Sequence, residues 1–238
     1  KERVEGSTVT ILTMGPGRAA EIIREGLYRG ADNGYLLTDR KFAGSDTLAT
    51  SYALSKAIEK LKPFDVVFAG RQAIDGDTAQ VGPQVAEKLD LPQVTYAEEI
   101  LDIKNKKIHI KRRLERGVEV VACGLPLVVT VHSSAAACRP RNAKLVMKFK
   151  HARTVTELQD ISEDYLSLYQ SRSYLKIEEL GADDIGVDEK SLGLSGSPTK
   201  VKKIESVVFK AKESKVLSPS DEEVDDLMRE LIENHTIG

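Results

Sequence analysis

A short apolar segment that runs into a polar, glycine-containing loop and then into a helix constrains this chain more than any other feature. The apolar segment is Asp65–Ala69, the loop begins at Gly70, and a helical pattern is established near Pro83. Ligands bind at such junctions in open α/β sheets, because strand carboxyl ends and helix amino ends face one crevice. Free backbone N–H groups and the helix dipole favour an anion there, such as a diphosphate. We therefore predict a dinucleotide-binding loop, although an ordinary strand–helix connection has the same composition.

The residues before this junction alternate between strand-like and helix-like patterns. Thr8–Thr13 is β-branched and apolar, which predicts a buried strand, and Tyr35–Thr38 predicts a second. Apolar residues at helical spacing lie between them, and Gly30 is placed to end that helix in the left-handed conformation. Ser45 or Asp46 is positioned to cap a second helix, which precedes the third strand. The buried stripe predicted for the second helix consists of Leu54, Ile58 and Leu61.

This alternation predicts an α/β fold with a doubly wound, mostly parallel, Rossmann-like sheet, because each crossover is long enough to make neighbouring strands parallel. The loop at Gly15–Gly17 and the loop after Ala69 would then lie at the same carboxyl edge. Lys104–Lys107 has the signature of a hairpin tip, and the apolar strand Leu127–Val131 would close the sheet. Pro83 implies that the third helix either begins near it or bends there.

The C-terminal part has a different character. Residues 148–180 are mostly polar and predict an extended or helical arm, 181–198 a loop, and 201–209 one more strand. Ser218 or Ser220 is placed to cap a terminal helix. Its apolar face, which we expect to bind a partner subunit, consists of Val224, Leu227, Met228, Leu231 and Ile232. We therefore predict two parts, a nucleotide-binding domain over residues 1–145 and a partner-binding arm with a terminal helix over 146–238.

Composition argues against several classes of function. Lys and Arg (35) nearly balance Asp and Glu (37), so nothing favours nucleic acid as a partner. No apolar run approaches the roughly 20 residues that span a bilayer, and the two cysteines lack metal-ligand spacing. The four histidines lie apart, and Ser133 and Ser134 belong to no nucleophile motif. We expect a cytoplasmic protein without a membrane segment, a metal site or a catalytic side chain of its own.

Several segments taken together resemble one family. Gly70–Pro83 (GRQAIDGDTAQVGP), followed by Leu91–Tyr96 (LPQVTY), is similar to the beta subunit of electron-transfer flavoproteins. Thr13–Pro16, Ile110–Thr130 and Gly193–Val201 also resemble segments of that family. The form Gly-Asp-Thr-Ala-Gln-Val-Gly-Pro resembles the electron-bifurcating group.

The resemblance implies a heterodimer with an alpha subunit that carries one FAD. It also implies a nucleotide in this chain, which is FAD in the bifurcating group and AMP in simple carriers. In the bifurcating group this FAD exchanges a hydride with NAD(H), and electrons pass to ferredoxin and to the alpha-subunit flavin. An acyl-CoA or hydroxy-acid type of dehydrogenase is the expected further partner. The implied cofactor-binding residues are Met14, Gly70, Arg71, Gln72, Ala73, Ile74, Asp75, Gly76, Asp77, Thr78, Ala79, Gln80 and Val81.

Three departures from the family bear on these expectations. The family's N-terminal strand, which lines the nucleotide site, is not part of this sequence, so contacts to the flavin ring and to NAD have no candidates here. Cys138–Arg141 replaces the usual Asn-x-Pro-Arg. Residues 148–177 form a longer segment than the usual docking region, which suggests a changed partner. Two alternatives stay open, a simple carrier with structural AMP and a nucleotide-binding signalling module without redox chemistry.

Overall fold

The computed structural model describes residues 4–159, 163–200, 216–234 and 237, and it divides the chain into two compact units, Lys1–Lys200 and Val201–Gly238. The first unit has an α/β fold, as predicted. Its strands are β1 (Thr10–Met14), β2 (Asn33–Leu37), β3 (Val66–Gly70), β4 (Gln93–Lys104), β5 (Lys107–Leu114), β6 (Gly117–Gly124), β7 (Leu127–Val131), β8 (Arg153–Thr154) and β9 (Lys176–Leu180). Its α-helices are α1 (Ala20–Tyr28), α2 (Thr47–Lys60), α3 (Val81–Lys88), α4 (Ala143–Phe149), α5 (Val155–Leu158) and α6 (Glu163–Ser171).

The strands form two sheets instead of the single sheet that the alternation predicts. The first sheet has the order β1-β2-β9-β8 and is parallel throughout, and the second has the order β3-β7-β4-β5-β6. Within the described residues, β1 pairs only with β2, and β3 pairs only with β7. The prediction that the strand from Asp65 joins the sheet of the first two strands is therefore wrong, because its backbone groups pair with β7.

The first sheet is covered by helices on both faces. Leu36 packs in a cluster with Ile23 and Phe149, from α1 and α4, whereas Leu37 packs with Ala53 and Ala57 of α2. Successive side chains of a strand point to opposite faces, so these clusters lie on the two sides of β2. The buried residues of α2 are small ones, and the predicted stripe of Leu54, Ile58 and Leu61 is only half-buried.

Residues 148–180 are not the arm that their composition predicts. β9 pairs in parallel with β2, with Leu180 opposite Leu37, and β8 pairs with β9. Ile177 of β9 is 1% exposed and belongs to the α1 side of the core. Phe149, Tyr169 and Leu175 are buried as well, so a few scattered apolar side chains anchor a segment that is mostly polar. Residues 181–198 contain only turns and short 3₁₀ segments, in agreement with the predicted loop.

Several local predictions are confirmed. Gly30 has a φ of +112° just beyond α1, and the Asp46 side chain caps α2. α3 begins at Val81, so Pro83 lies in its first turn, where an N–H would have no partner within the helix.

The second unit contains one described helix, α7 (Asp221–Glu233), capped by Ser220. None of its residues is buried within the described part of the chain. The strand predicted over residues 201–209 lies outside the described residues.

Candidate functional site

The candidate site lies where β3 and β7 end side by side. The two strands are parallel, and Gly70 is the register partner of Val131. The loop of residues 71–80 and the residues that follow Val131 therefore leave the second sheet at one carboxyl edge. This is the position at which α/β folds bind ligands.

The loop is exposed and has an unusual backbone. Asp77 and Ala79 have φ values of +50° and +53°, in the left-handed region, and the Ile74 side chain is fully exposed. The left-handed conformation costs a non-glycine residue about 1 kcal/mol, less for aspartate. A Cβ added at Gly70 or Gly76 would meet no atom within 4 Å, so the space beside both glycines is open.

Most N–H groups of the loop have no partner in the described chain. The Asp77 N–H donates to the Ala73 carbonyl at 3.1 Å. No other N–H of residues 71–80 donates to a described residue. Consecutive backbone donors without a partner inside the protein are the usual means by which loops bind phosphate oxygens.

Helix α3 adds its amino end to this loop. Gln80 is the N-cap residue of α3, and its side chain makes no cap hydrogen bond. A Cβ at Gly82 would lie 2.5 Å from Thr130 Cγ2, which shows how closely α3 packs on β7. The first turn of α3 is therefore held at the strand edge, with its free N–H groups beside the loop.

A set of hydrogen-bonded and ion-paired side chains connects β4, β5 and the residues that follow β7. The Glu98 carboxylate, with 6% of its side chain exposed, accepts a hydrogen bond from Arg113 Nε at 2.7 Å and one from the Ser134 hydroxyl. Both hydrogen bonds lower the pKa of Glu98 below its usual value, and the one from Ser134 has the larger effect. The Ser134 N–H donates to His132 Nδ1 at 3.1 Å. The set fixes the chain that follows β7 against the second sheet.

Three arginines that could otherwise bind a phosphate are ion-paired within the chain. Arg112 Nη1 lies 3.3 Å from Glu119 Oε1, Arg113 pairs with Glu98, and Arg141 pairs with Glu25. Their charges are therefore offset locally, and none of the three is placed as an isolated phosphate ligand.

Met14 is not on the same sheet edge as the loop. It ends β1 in the first sheet and packs against the cluster that contains Leu37 and Phe42, whereas the loop follows β3 in the second sheet. The expectation that the turn at Gly15–Gly17 and the loop share one sheet edge is wrong for this reason.

No three His, Cys, Asp or Glu side chains are grouped for metal binding in the part of the chain that the structure describes. Cys123 and Cys138 are both free thiols. Among the helices of the described residues, none is both long and apolar enough to cross a membrane.

The sequence profile of the electron transfer flavoprotein domain matches residues 1–156, which include the loop, α3 and the whole second sheet. The chain belongs to the electron transfer flavoprotein domain family.

Individual relatives agree with this assignment. A protein of Thermoanaerobacterium thermosaccharolyticum called electron transfer flavoprotein subunit beta is 45% identical over 201 residues, covering 84% of this chain and 68% of the relative. The subunit beta of Clostridium acetobutylicum is 40% identical over 232 residues, covering 98% of this chain and 80% of the relative. The caffeyl-CoA reductase-Etf complex subunit CarD of Acetobacterium woodii is 40% identical over 201 residues, 84% of this chain and 68% of CarD. The resemblance to beta subunits of the flavoprotein family is confirmed.

Within this family fold, the structure adds two residues to the site that sequence analysis missed. Thr47 Oγ1, in the first turn of α2, donates to Gln80 Oε1 at 3.0 Å, and Asp46 holds that turn in place. A capping aspartate before a helix can be recognised in the sequence. The hydrogen bond of the next residue, Thr47, to a loop residue 33 positions away is a tertiary contact, which no local pattern reports.

Proposed function

We propose that this chain is the beta subunit of a flavin-based electron-bifurcating complex, with FAD bound at the loop from Gly70 to Val81 and at Met14. In this proposal it exchanges electrons with NAD(H) and passes them to the FAD of an alpha subunit, to a dehydrogenase and to ferredoxin. FAD supplies the redox chemistry when it is bound, and this chain supplies binding, orientation and electrostatics.

One observation carries the proposal, namely that all but one of the N–H groups of residues 71–80 lack a partner in the described chain, beside the first turn of α3. The loop's own charged side chains are Arg71, Asp75 and Asp77, so their sum does not attract an anion. The attraction for a diphosphate must come from the backbone donors and the helix dipole. The two exposed aspartates suit the ribose hydroxyls of a nucleotide, to which a carboxylate accepts hydrogen bonds.

The family relationship supports the proposed partners. Relatives bear the name subunit beta, and one belongs to a caffeyl-CoA reductase complex. We therefore propose an alpha subunit as the permanent partner and a dehydrogenase of the acyl-CoA or hydroxy-acid type as the further one. A simple electron carrier with AMP at the same loop is the second candidate, because backbone donors bind the phosphate of either nucleotide.

The nucleotide content of the purified heterodimer tests this proposal. The chain is produced together with its alpha subunit, and bound nucleotides are released by denaturation and quantified by absorbance and mass spectrometry. About two flavins per heterodimer support the bifurcating complex, and one flavin with one AMP supports the carrier. A colourless protein that purifies alone and binds ATP would instead indicate the signalling module.

A further inference from the structure

The segment Gly193–Thr199 is hydrogen-bonded to the amino end of α2 through the side chain and the backbone of Asp46. Asp46 Oδ2 accepts from the Thr199 N–H at 3.0 Å and from Thr199 Oγ1 at 2.7 Å. Asp46 Oδ1 accepts from the N–H groups of Leu48 and Ala49 at 2.9 and 3.1 Å. One side chain thus caps α2 and holds a residue 153 positions away in the sequence.

Ser197 strengthens this connection. Its hydroxyl accepts from the Asp46 N–H at 2.8 Å and donates to the Gly193 carbonyl at 2.6 Å, and the residue is 4% exposed. Burial alone would raise the pKa of Asp46, but the hydrogen bonds from Ala49 and Thr199 bring it below the usual value. The Asp46 carboxylate is therefore ionised at neutral pH, and its hydrogen bonds are charge-assisted.

The residue after Asp46 contacts the candidate nucleotide loop. Thr47 Oγ1 donates to Gln80 Oε1 at 3.0 Å, and Gln80 is the N-cap of α3 without a cap hydrogen bond of its own. With its oxygen bound to Thr47, the Gln80 amide has its Nε2 left as a donor. The hydroxyl of Thr47 thus restrains the orientation of this amide.

We propose that Asp46 and Thr47 are positioning residues for the nucleotide at the loop of residues 71–80, and that Gly193–Thr199 acts on that loop through them. This inference rests on the proposed function. The physical reason is preorganisation, since a donor held in place before binding loses less entropy when a phosphate arrives. Leu194, with 58% of its surface exposed, lies within the same segment, so a partner that contacts it would influence nucleotide binding.

The test measures nucleotide affinity in the heterodimer with its alpha subunit, after bound nucleotide has been removed. FAD and AMP are titrated separately, and binding is followed by calorimetry. The variants are Thr47→Val and Thr199→Val, which remove the hydroxyls, with Thr47→Ser and Thr199→Ser as conservative replacements that retain them.

Thr156→Val is the matched control. Thr156 Oγ1 donates to Glu179 Oε2 at 2.8 Å and its N–H to Oε1 at 3.4 Å, so its hydroxyl and its N–H both bind one carboxylate, as those of Thr199 do. These bonds connect α5 with β9 and involve no residue of the loop. Urea denaturation of every variant measures any general loss of stability.

We expect both hydroxyl-removing variants to weaken nucleotide binding by about 2- to 10-fold, the effect of one hydrogen bond. The serine variants and Thr156→Val should bind as the wild type does. Wild-type affinity in Thr47→Val and Thr199→Val would overturn the inference and leave the proposed function intact. An equal loss in Thr156→Val would also overturn it, because the effect would then be general. A wild-type heterodimer that binds neither FAD nor AMP would overturn the inference together with the proposed function.

Discussion

Arg24 and Glu157 form an ion pair that connects α1 with α5 across 133 positions of sequence. Arg24 Nη1 donates to both carboxylate oxygens, at 3.1 and 2.9 Å, and also to the Ala152 carbonyl at 3.2 Å. Glu157 is at the same time the third residue of a capping box with Thr154. The pair thus attaches the segment that follows α4 to the first helix.

Arg24→Met is expected to lower the free energy of unfolding by about 2 kcal/mol, because a largely buried carboxylate loses its charged donor. Lys56→Met is the control, since it removes a half-exposed pair with Glu59 whose N–O distance is 2.8 Å, and should cost less than about 1 kcal/mol. Urea denaturation measures both. Equal losses in the two variants would contradict the prediction.

The same pair predicts a dependence of stability on pH. Burial acts to raise the pKa of Glu157, but hydrogen bonds from Arg24 and from the Thr154 N–H lower it overall. A carboxyl whose folded pKa lies below its unfolded value of about 4.3 stabilises the fold above that pH. This contribution is lost as the pH falls through the lowered pKa.

Urea denaturation of the wild type and Glu157→Gln between about pH 7 and pH 3 tests this. The wild type should be more stable at neutral pH, and the difference should shrink on acidification. A difference that does not change with pH would exclude the ion pair as its source.

Gly82→Ala is expected to destabilise the fold by about 1–3 kcal/mol, because the new methyl group would lie 2.5 Å from Thr130 Cγ2 and push α3 away from β7. Gly76→Ala is the matched control for stability, since its Cβ would meet no atom within 4 Å and its φ is not in the left-handed region. The unfolding temperatures of both variants can be compared by calorimetry. A larger loss in Gly76→Ala would refute this account of the packing.

Asp77→Ala combined with Thr78→Ala is expected to lower the flavin content of the purified heterodimer, because it removes exposed groups that we propose hydrogen-bond the nucleotide. Asp90→Ala controls for backbone cost, since Asp90 is exposed and has a φ of +52°, close to the +50° of Asp77. Flavin absorbance per heterodimer is the measurement. Full occupancy in the double variant would count against the assignment of the loop.

Deletion of residues 218–238 is expected to weaken binding to the alpha subunit, because α7 exposes an apolar face. Val224, Met228 and Ile232 of that helix are 44–55% exposed. A finer test replaces Val224 and Met228 by serine, with Glu222→Ser and Asp226→Ser as the control on the opposite face. Co-purification with a tagged alpha subunit measures the effect. Undiminished recovery of both proteins after the deletion would refute the prediction.

Local sequence patterns predicted features that a few neighbouring residues determine. The hairpin tip at Lys104–Lys107 forms between β4 and β5, with Asn105 and Lys106 both at positive φ as a tight turn requires. The caps at Asp46 and Ser220 and the left-handed Gly30 belong to the same class. The backbone has few choices at such positions, and one side chain selects among them.

Strand partners followed a different rule. The apolar segments of the sequence do form strands. However, β3 pairs with β7, and β9, which lies in a mostly polar segment, pairs with β2. Each pairing joins residues far apart in the chain and depends on which edges the rest of the fold leaves accessible. The burial of α2 follows the same principle. Which of its residues are buried depends on the elements that pack around it, and a helical pattern does not specify those elements, so Leu54 and Ile58 are only half-buried.

By itself, the sequence determined the α/β class, the helix caps, the family and a glycine-containing loop with the composition of a nucleotide site. Only the tertiary structure decided that the strands form two sheets, that Met14 and the loop lie on different ones, and that Thr47 binds Gln80. The reason is that caps and turns depend on interactions between near neighbours. Sheet order and contacts between loops depend on the free energy of burying the whole chain at once.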